Sequence, residues 1–507
     1  MTLLTDRYAA QIAGVVSCYD RLVMMGTLPG VCYAEGMATY LRTHGIRLFD
    51  YPRFAEPLRE EIRYNTERLA REQGLEVEFI RSAHAFRKED RIRALLDRRG
   101  DHPGLVHIFA AMEPCAAFTP WHDKATGQTT LRYKDGKCLH YYFYLIDEEF
   151  GLCYLRVPTW APFRLQFYGN GHNWLTRQLR RAGIAVAPLD NTFRTRGDSA
   201  QAQALADAFP VARLHHTLEA LAVRYCPVVA HFGVAYQWSL RQVEYATDLI
   251  FHRQEDLRPL YEALVRTAVH AVKPDHVATF LGRKLTGHYQ DELGNDFHTR
   301  VEGTRLKHHM GPVAIKLYDK QALVLRIETT VNDVSFFQHH RTVEHRDGTT
   351  DTKLAPMRKT IYSLAPLRAL LLAANRRYLA FLSDLADPTV GVRQVEHLAE
   401  PTRLDDRSYR GFTLCSADDS ALFVALARGE WQISGFRNAT LRRVLPTYSG
   451  PQLSRVLKRL HAHGLIKKIG RTYKYYLTHA GQQVVVTALK LRELVVIPSL
   501  AGLLPAA

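Results

Sequence analysis

GPQLSRVLKRLHAHGLIKKIGRTYKYYLT, residues 450–478, is the stretch on which the reading of this chain turns. Leu453, Val456, Leu457 and Leu460 recur at the spacing of one helix face, and Gly464 is placed to stop that helix. Ser454, Arg455, Lys458, Arg459 and His461 fall on the opposite face. Leu465–Thr478 then alternates as two short strands around Gly470-Arg471, carrying Lys467, Lys468, Arg471 and Lys474, and Thr478 can cap a last helix through Leu494. From Trp431 to Ala480 there are ten Lys or Arg and no Asp or Glu. Ordinary surfaces mix both signs. A one-sign stretch with a good apolar pattern predicts a folded surface for a polyanion.

Upstream of it, Ala417–Ala427 and Arg437–Val444 carry helical spacing. Helix, helix, basic helix, β-ribbon, helix is the winged-helix order. The segment RVLKRLHAHGLIKKIGRTYKYYLT resembles the recognition helix and wing of bacterial winged-helix regulators of the MarR-like type, over about seventy residues. A helix in the major groove needs donors on its exposed face, which Ser454, Arg455, Lys458 and Arg459 supply; Arg437, Arg442 and Arg443 add to the cationic surface. A wing lying over the backbone needs the cations Lys467, Lys468, Arg471 and Lys474. The competing reading is a protein–protein module of the same fold.

The whole chain agrees with an acidic partner. It has 507 residues, 47% of them hydrophobic, and a net charge of +16, which predicts several folded domains and favours nucleic acid, DNA over RNA, with no membrane role and room for a homodimer. Seven scattered cysteines without a CxxC pair read as free thiols, and neither a leader-like N-terminus nor a long apolar run is present, so a cytoplasmic protein is expected. Cys115, His122, Cys138 and His140 have spacings that zinc could use, but nothing selects four ligands. No GxGxxG or Walker-type glycine loop occurs.

The expected fold class is α+β or α/β, multidomain. Residues 1–195 read as an alternating α/β unit with a parallel sheet: strands at Gly14–Met25, Leu75–Arg81 and Gly104–Ala111, helices at Pro57–Gln73 and Lys88–Arg99, then an aromatic hairpin, Leu139–Asp147 with Gly151–Val157. Residues 196–386 read as helices, including Ser239–His252, followed by a hairpin of Val313–Lys320 and Leu323–Thr330 turning near Gln321-Ala322. Residues 387–410 are the expected linker and 411–507 the winged-helix domain.

The central hairpin is the second place where chemistry is readable. Alternation puts Lys316, Tyr318, Arg326 and Glu328 on one face, and the preceding strand adds Glu302 and Lys307. A solvated face laced with cross-strand pairs is one reading. The other is a nucleic-acid platform, or a metal-dependent nuclease in which Glu302 and Glu328 hold Mg²⁺ or Mn²⁺ and Lys316 or Lys307 stabilises phosphate charge. The string KLYDK…LRIET is similar to the YDK…RxE strand pair of rolling-circle replication initiators from plasmids and filamentous phages. That resemblance implies a nicking enzyme using a tyrosine, here Tyr318, and a metal. The His-hydrophobic-His metal motif of that group is missing from the central strands.

GLVHIFAAMEP, LQFYGNGHNWLTRQL and LRIETTVND make the whole chain similar to an uncharacterised family of bacterial proteins of about this length, which implies no mechanism. The expected function is therefore nucleic-acid binding in a regulatory or mobile-element setting, with the nuclease or nicking enzyme as the alternative.

Overall fold

The computed structural model describes residues 3–81, 86–189, 192–195, 199–283, 297–302, 305–385, 397–413, 416–431, 435–470 and 472–497. The chain divides into two compact units, Met1–Ala386 and Asp387–Ala507.

The first unit is mixed α/β and is built on one large sheet. Its strands are β1 (Ile12–Thr27), β2 (Val77–Phe79), β3 (Gly104–His122), β4 (Thr129–Asp147), β5 (Gly151–Pro158) and β6 (Leu165–Asn170). A separate small hairpin, β7 (Val186–Leu189) and β8 (Thr192–Thr195), follows, then β9 (Gln237–Phe251), β10 (Phe297–Glu302), β11 (Arg305–Met310), β12 (Val313–Lys320) and β13 (Val324–Val331). The sheet order is β10-β11-β12-β13-β9-β1-β6-β5-β4-β3-β2.

This order corrects three expectations. Among the described strands of the sheet only β2 and β3 pair in parallel; β1 pairs antiparallel with both β6 and β9. Sequential alternation of strands and helices suggested a parallel sheet, but β1 finds its partners far along the chain. Second, Ser239–His252 is not a helix: all of it but His252 lies within the central strand β9. Its last nine residues are all buried, so the period-two signal that marks a half-exposed strand is erased. Third, no seam falls at residue 195, because β1 and β9, from either side of it, are hydrogen-bonded neighbours along thirteen register pairs.

The hairpin β12–β13 stands where the alternation places it, and its turn residues Gln321 and Ala322 have φ of +52° and +55°, left-handed positions in a three-residue connection closed by Leu323 N–H donating to the Lys320 carbonyl at 3.0 Å. Ile315, Leu317, Leu325 and Ile327 face a buried cluster with Leu257 and Leu264 from the helix Gln254–Ala271 and Tyr378 and Leu382 from the helix Leu364–Leu385. That packing fixes the sheet register, because a one-residue slip would turn the charged side chains, buried on the opposite face, into this apolar cluster.

The second unit contains the hairpin Thr402–Leu404/Arg407–Tyr409, the helices Ala417–Leu426, Asn438–Val444 and Gly450–Ala462, the hairpin Ile466–Lys468/Tyr475–Leu477 and the helix His479–Leu491. Leu422, Phe423, Phe436, Leu441, Leu453, Leu457, Leu460 and Val485 share its core. The helix Gly450–Ala462 starts with a capping box, Ser449 N–H donating to Gln452 Oε1 at 2.8 Å and Gln452 N–H to Ser449 Oγ at 3.4 Å. Gly464, at φ +70°, ends it. Part of the expected linker is built in: Arg410, its last residue, offers its carbonyl to Arg459, as does Gly411 just beyond it, and residues 387–396 lie outside the described ones.

Candidate functional site

In the second unit, periodicity separates the two faces of the helix Gly450–Ala462. Ser454, Arg455 and Lys458 are exposed, as are Arg437, Arg442 and Arg443 on and just before the preceding helix. Asn438 Nδ2 donates to Ser454 Oγ at 2.8 Å, tying the two helices together. Lys467 and Lys468 are exposed on the first strand of the hairpin; Lys474 is half-buried, with its Nζ 5.7 Å from the Tyr476 ring centre. Phe436 bridges to Tyr475, adding a third short extended segment beside the hairpin. Arg471 lies outside the described residues.

Arg459 departs from expectation. It is buried, with Nη1 2.7 Å from Asp419 Oδ1 and Nη2 3.0 Å from Oδ2, and its guanidinium lies 3.7 Å from the Phe412 ring centre. The physical reason is Asp419, a buried carboxylate on the helix Ala417–Leu426 that needs a cation. Burial opposes the ionisation of Asp419, but Arg459 and the Thr413 N–H outweigh it and hold the carboxyl below its ordinary range.

On the sheet, the register carries Lys316 opposite Glu328, Tyr318 opposite Arg326, Arg326 opposite Asp248 and Thr330 opposite Glu244. These side chains share one face of β12, β13 and β9 and form a buried charge network. Lys316 Nζ lies 2.6 Å from Glu328 Oε1 and 3.0 Å from Glu244 Oε1. Tyr318 donates to Glu328 Oε2 at 2.5 Å. Arg326, fully buried, clamps Asp248 through Nε and Nη2 and reaches Asp20 Oδ2 at 2.9 Å through Nη1. Asp20 sits where the β1–β9 register shifts between Tyr19 and Leu22. His172 completes the group, with Nδ1 3.3 Å from Asp20 Oδ1 and Nε2 3.5 Å from Asp248 Oδ2. Its placement depends on Gly171, since a Cβ there would lie 2.2 Å from the Tyr19 carbonyl oxygen.

The electrostatics follow from burial and pairing. Desolvation opposes charge on Asp20 and Asp248, but His172 and Arg326 outweigh it, and both carboxyls are held well below their ordinary range. Burial and Arg326 also oppose charge on His172, yet the Cys18 sulfur, Asp20 and Asp248 raise its pKa well above the ordinary value. Glu328 moves the other way: burial and the repulsion of Glu244 and Asp20 raise it against the pull of Lys316. Burial, with the Glu328 charge, pushes the Tyr318 phenol far up, so in this arrangement it is a hydrogen-bond donor.

Among the described residues, Asp20, Glu244 and Glu328 are the group whose oxygens come within 4.8 Å of one another. Lys316 already bonds to Glu244 and Glu328, and Arg326 to Asp20, so these acids are paired with cations inside the protein. Cys138 and His140 contact each other at 3.8 Å without forming part of such a group. The expected Glu302–Glu328 pair falls partly outside the described residues. Glu302 is on β10, opposite Arg305, and β11 and β12 intervene before β13, which separates the two backbones by roughly three strand spacings of about 4.8 Å. Its side chain lies outside the described residues.

Sequence reasoning found Lys316, Tyr318, Arg326 and Glu328 but missed Asp20, Glu244 and Asp248. A signal existed: Asp20 interrupts the apolar run VVSCYDRLVMM and Asp248 interrupts YATDLIF, and a charge inside a buried strand requires a partner.

No family model matches the chain, and neither the curated proteins nor the solved structures searched contain a match.

Proposed function

We propose that this chain is a nucleic-acid-binding protein, with DNA favoured over RNA, and that its C-terminal unit is a winged helix of the MarR-like type. One observation carries the reading. Arg455 and Lys458 are exposed on one helix, Lys467 and Lys468 are exposed on the hairpin that follows it, and no carboxylate occurs from Trp431 to Ala480. The element order and the Phe436–Tyr475 bridge support it further. In this reading the helix Gly450–Ala462 enters a major groove with Ser454, Arg455 and Lys458 toward base edges and phosphates, and the hairpin sets Lys467 and Lys468 against the backbone. B-form DNA admits a helix there, whereas the A-form major groove is too deep and narrow, which favours DNA. Arg459 takes no part.

The test is fluorescence anisotropy of the full chain with duplex DNA and duplex RNA over a salt series. The combined variant Arg455→Ala/Lys458→Ala/Lys467→Ala/Lys468→Ala should bind DNA far more weakly at an unchanged melting temperature. Equal binding by that variant, or no binding by the unaltered chain at low salt, overturns the reading.

A second reading, a metal-dependent nuclease, is favoured by the convergence of Asp20, Glu244 and Glu328. A divalent ion there would have to displace the Lys316 ammonium from Glu244 and Glu328. Incubating the full chain and Glu328→Gln with single- and double-stranded DNA in Mg²⁺ or Mn²⁺ decides it: cleavage lost in the variant supports the enzyme, and no cleavage by the unaltered chain removes it.

A further inference from the structure

A cleft of about 820 Å³ lies between the helix Lys88–Arg99 and the strands β5, β6, β1 and β9. Its volume falls within the usual range for small-molecule sites. Two chemistries meet in it. On β5 and β6, Tyr154 and Tyr168 sit directly opposite in the register, their rings stacked at 5.1 Å with planes 5° apart. Both are half-buried, so the pair offers an aromatic surface to the cleft, and Ile92 and Leu96 supply an apolar wall from the helix. On β1 and β9, Arg21 and Arg241 bring exposed guanidinium groups to the same cleft, and Arg93 adds a third from the helix. Glu89 is the one carboxylate in the lining, and Arg21 Nε also lies 3.7 Å from Glu244 Oε2. Arg21 links the two halves, with its guanidinium 5.6 Å from the Tyr168 ring centre. Gln166, Gln242 and Asn332 add amides that can both donate and accept.

An aromatic surface with a cationic end suits a ligand that is planar at one end and anionic at the other. We propose that this cleft binds a nucleoside phosphate, with the base against Tyr154 and Tyr168, its edges read by the amides, and the phosphate on Arg21 and Arg241. Base–aromatic stacking is tolerant of base identity, and arginine matches phosphate oxygens geometrically. The ligand is either a free nucleotide or a nucleotide within an unpaired strand. The inference stands on the first unit alone and does not depend on the winged-helix reading.

The experiment uses the full chain. Calorimetric titration compares a deoxynucleoside monophosphate, the nucleoside alone, inorganic phosphate alone, and a short single-stranded oligonucleotide. A photoreactive azido-nucleotide, followed by peptide mapping, locates the bound base. The nucleotide should bind at least tenfold tighter than either fragment, and the label should fall on peptides holding Tyr154 or Tyr168. Arg241→Glu, at an exposed position, should weaken the nucleotide about tenfold or more without moving the melting temperature, and Tyr168→Leu should remove a comparable factor. Tighter binding of the oligonucleotide than of the monophosphate assigns the site to a strand; equal or weaker binding assigns it to free nucleotide. No saturable nucleotide binding, a label confined to residues 450–477, or unaltered affinity in Arg241→Glu overturns the proposal. The last two outcomes leave the winged-helix reading standing.

Discussion

Arg459 and Asp419 form a two-pronged ion pair inside the C-terminal unit, at 2.7 and 3.0 Å, with Arg459 turned away from the exposed face of its helix. The pair ties the helix Gly450–Ala462 to the helix Ala417–Leu426 and, through the Arg410 and Gly411 carbonyls, to the segment before it. Breaking a buried pair strands a charge, which typically costs about 3–5 kcal/mol. Arg459→Ala should therefore lower the melting temperature of the C-terminal transition, and Arg459→Ala/Asp419→Ala should recover part of the loss. Calorimetry checks this; a fall in DNA affinity with no change in melting would instead return Arg459 to the binding face.

The same pair sets an acid response. Asp419 has a depressed pKa in the folded state, so its contribution is present above the ordinary carboxylate range and is lost as pH falls through the folded value. The acid limb of the C-terminal transition should flatten in Asp419→Asn, measured as melting temperature against pH.

The sheet network predicts opposite outcomes for two neighbours. Arg326→Ala leaves Asp20 and Asp248 buried without their main cation and should destabilise the first unit by about 3–5 kcal/mol. Glu328 is held with a raised pKa, so neutralising it removes a charge that the fold disfavours. Glu328→Gln should change stability by less than about 1.5 kcal/mol, the scale of one hydrogen bond. Urea denaturation of the two variants compares them directly; an equal loss would mean that Glu328 is an indispensable counter-charge.

His308 gives a separate pH dependence. It is fully buried between Thr299 Oγ1 and Tyr378 Oη, and burial pushes its pKa down to about 4. A base with a depressed folded pKa contributes full stability above its unfolded value of about 6.5 and loses it as pH falls toward 4, by up to roughly 3 kcal/mol. Unfolding free energy followed from pH 7 to pH 4 should fall less steeply in His308→Gln than in the unaltered chain.

Salt reports on the proposed DNA contact. If six to ten phosphates are neutralised, affinity should drop roughly 10³–10⁵-fold between 50 and 200 mM salt. Each exposed cation removed, such as Lys458 or Lys467, should reduce the slope of log affinity against log salt by about one, whereas Arg459→Lys should leave that slope unchanged.

Legibility followed the range of the interactions. The helix Lys88–Arg99 and the hairpin β12–β13 were readable because charge pattern, stop residues and alternation all act within a few residues. β9 was not, because burial on both faces removed its alternation and left a run that also fits a helix. Glu328 and Lys316 were found as cross-strand neighbours twelve residues apart, while Asp20, which lies 306 residues from its partner Arg326, carried no local sign of that pairing.

By itself, then, the amino-acid order determined the caps, periodicities and one-sign charge of the C-terminal unit, since these arise between residues close along the chain. Only the tertiary structure decided that β1 and β9 lie side by side at the centre of the sheet, that Asp20, Glu244 and Asp248 join Glu328 around Lys316, Arg326 and His172, and that Arg459 turns inward. The physical reason is that strand neighbours and the partners of buried charges are chosen by desolvation, which acts on whatever the completed fold brings together.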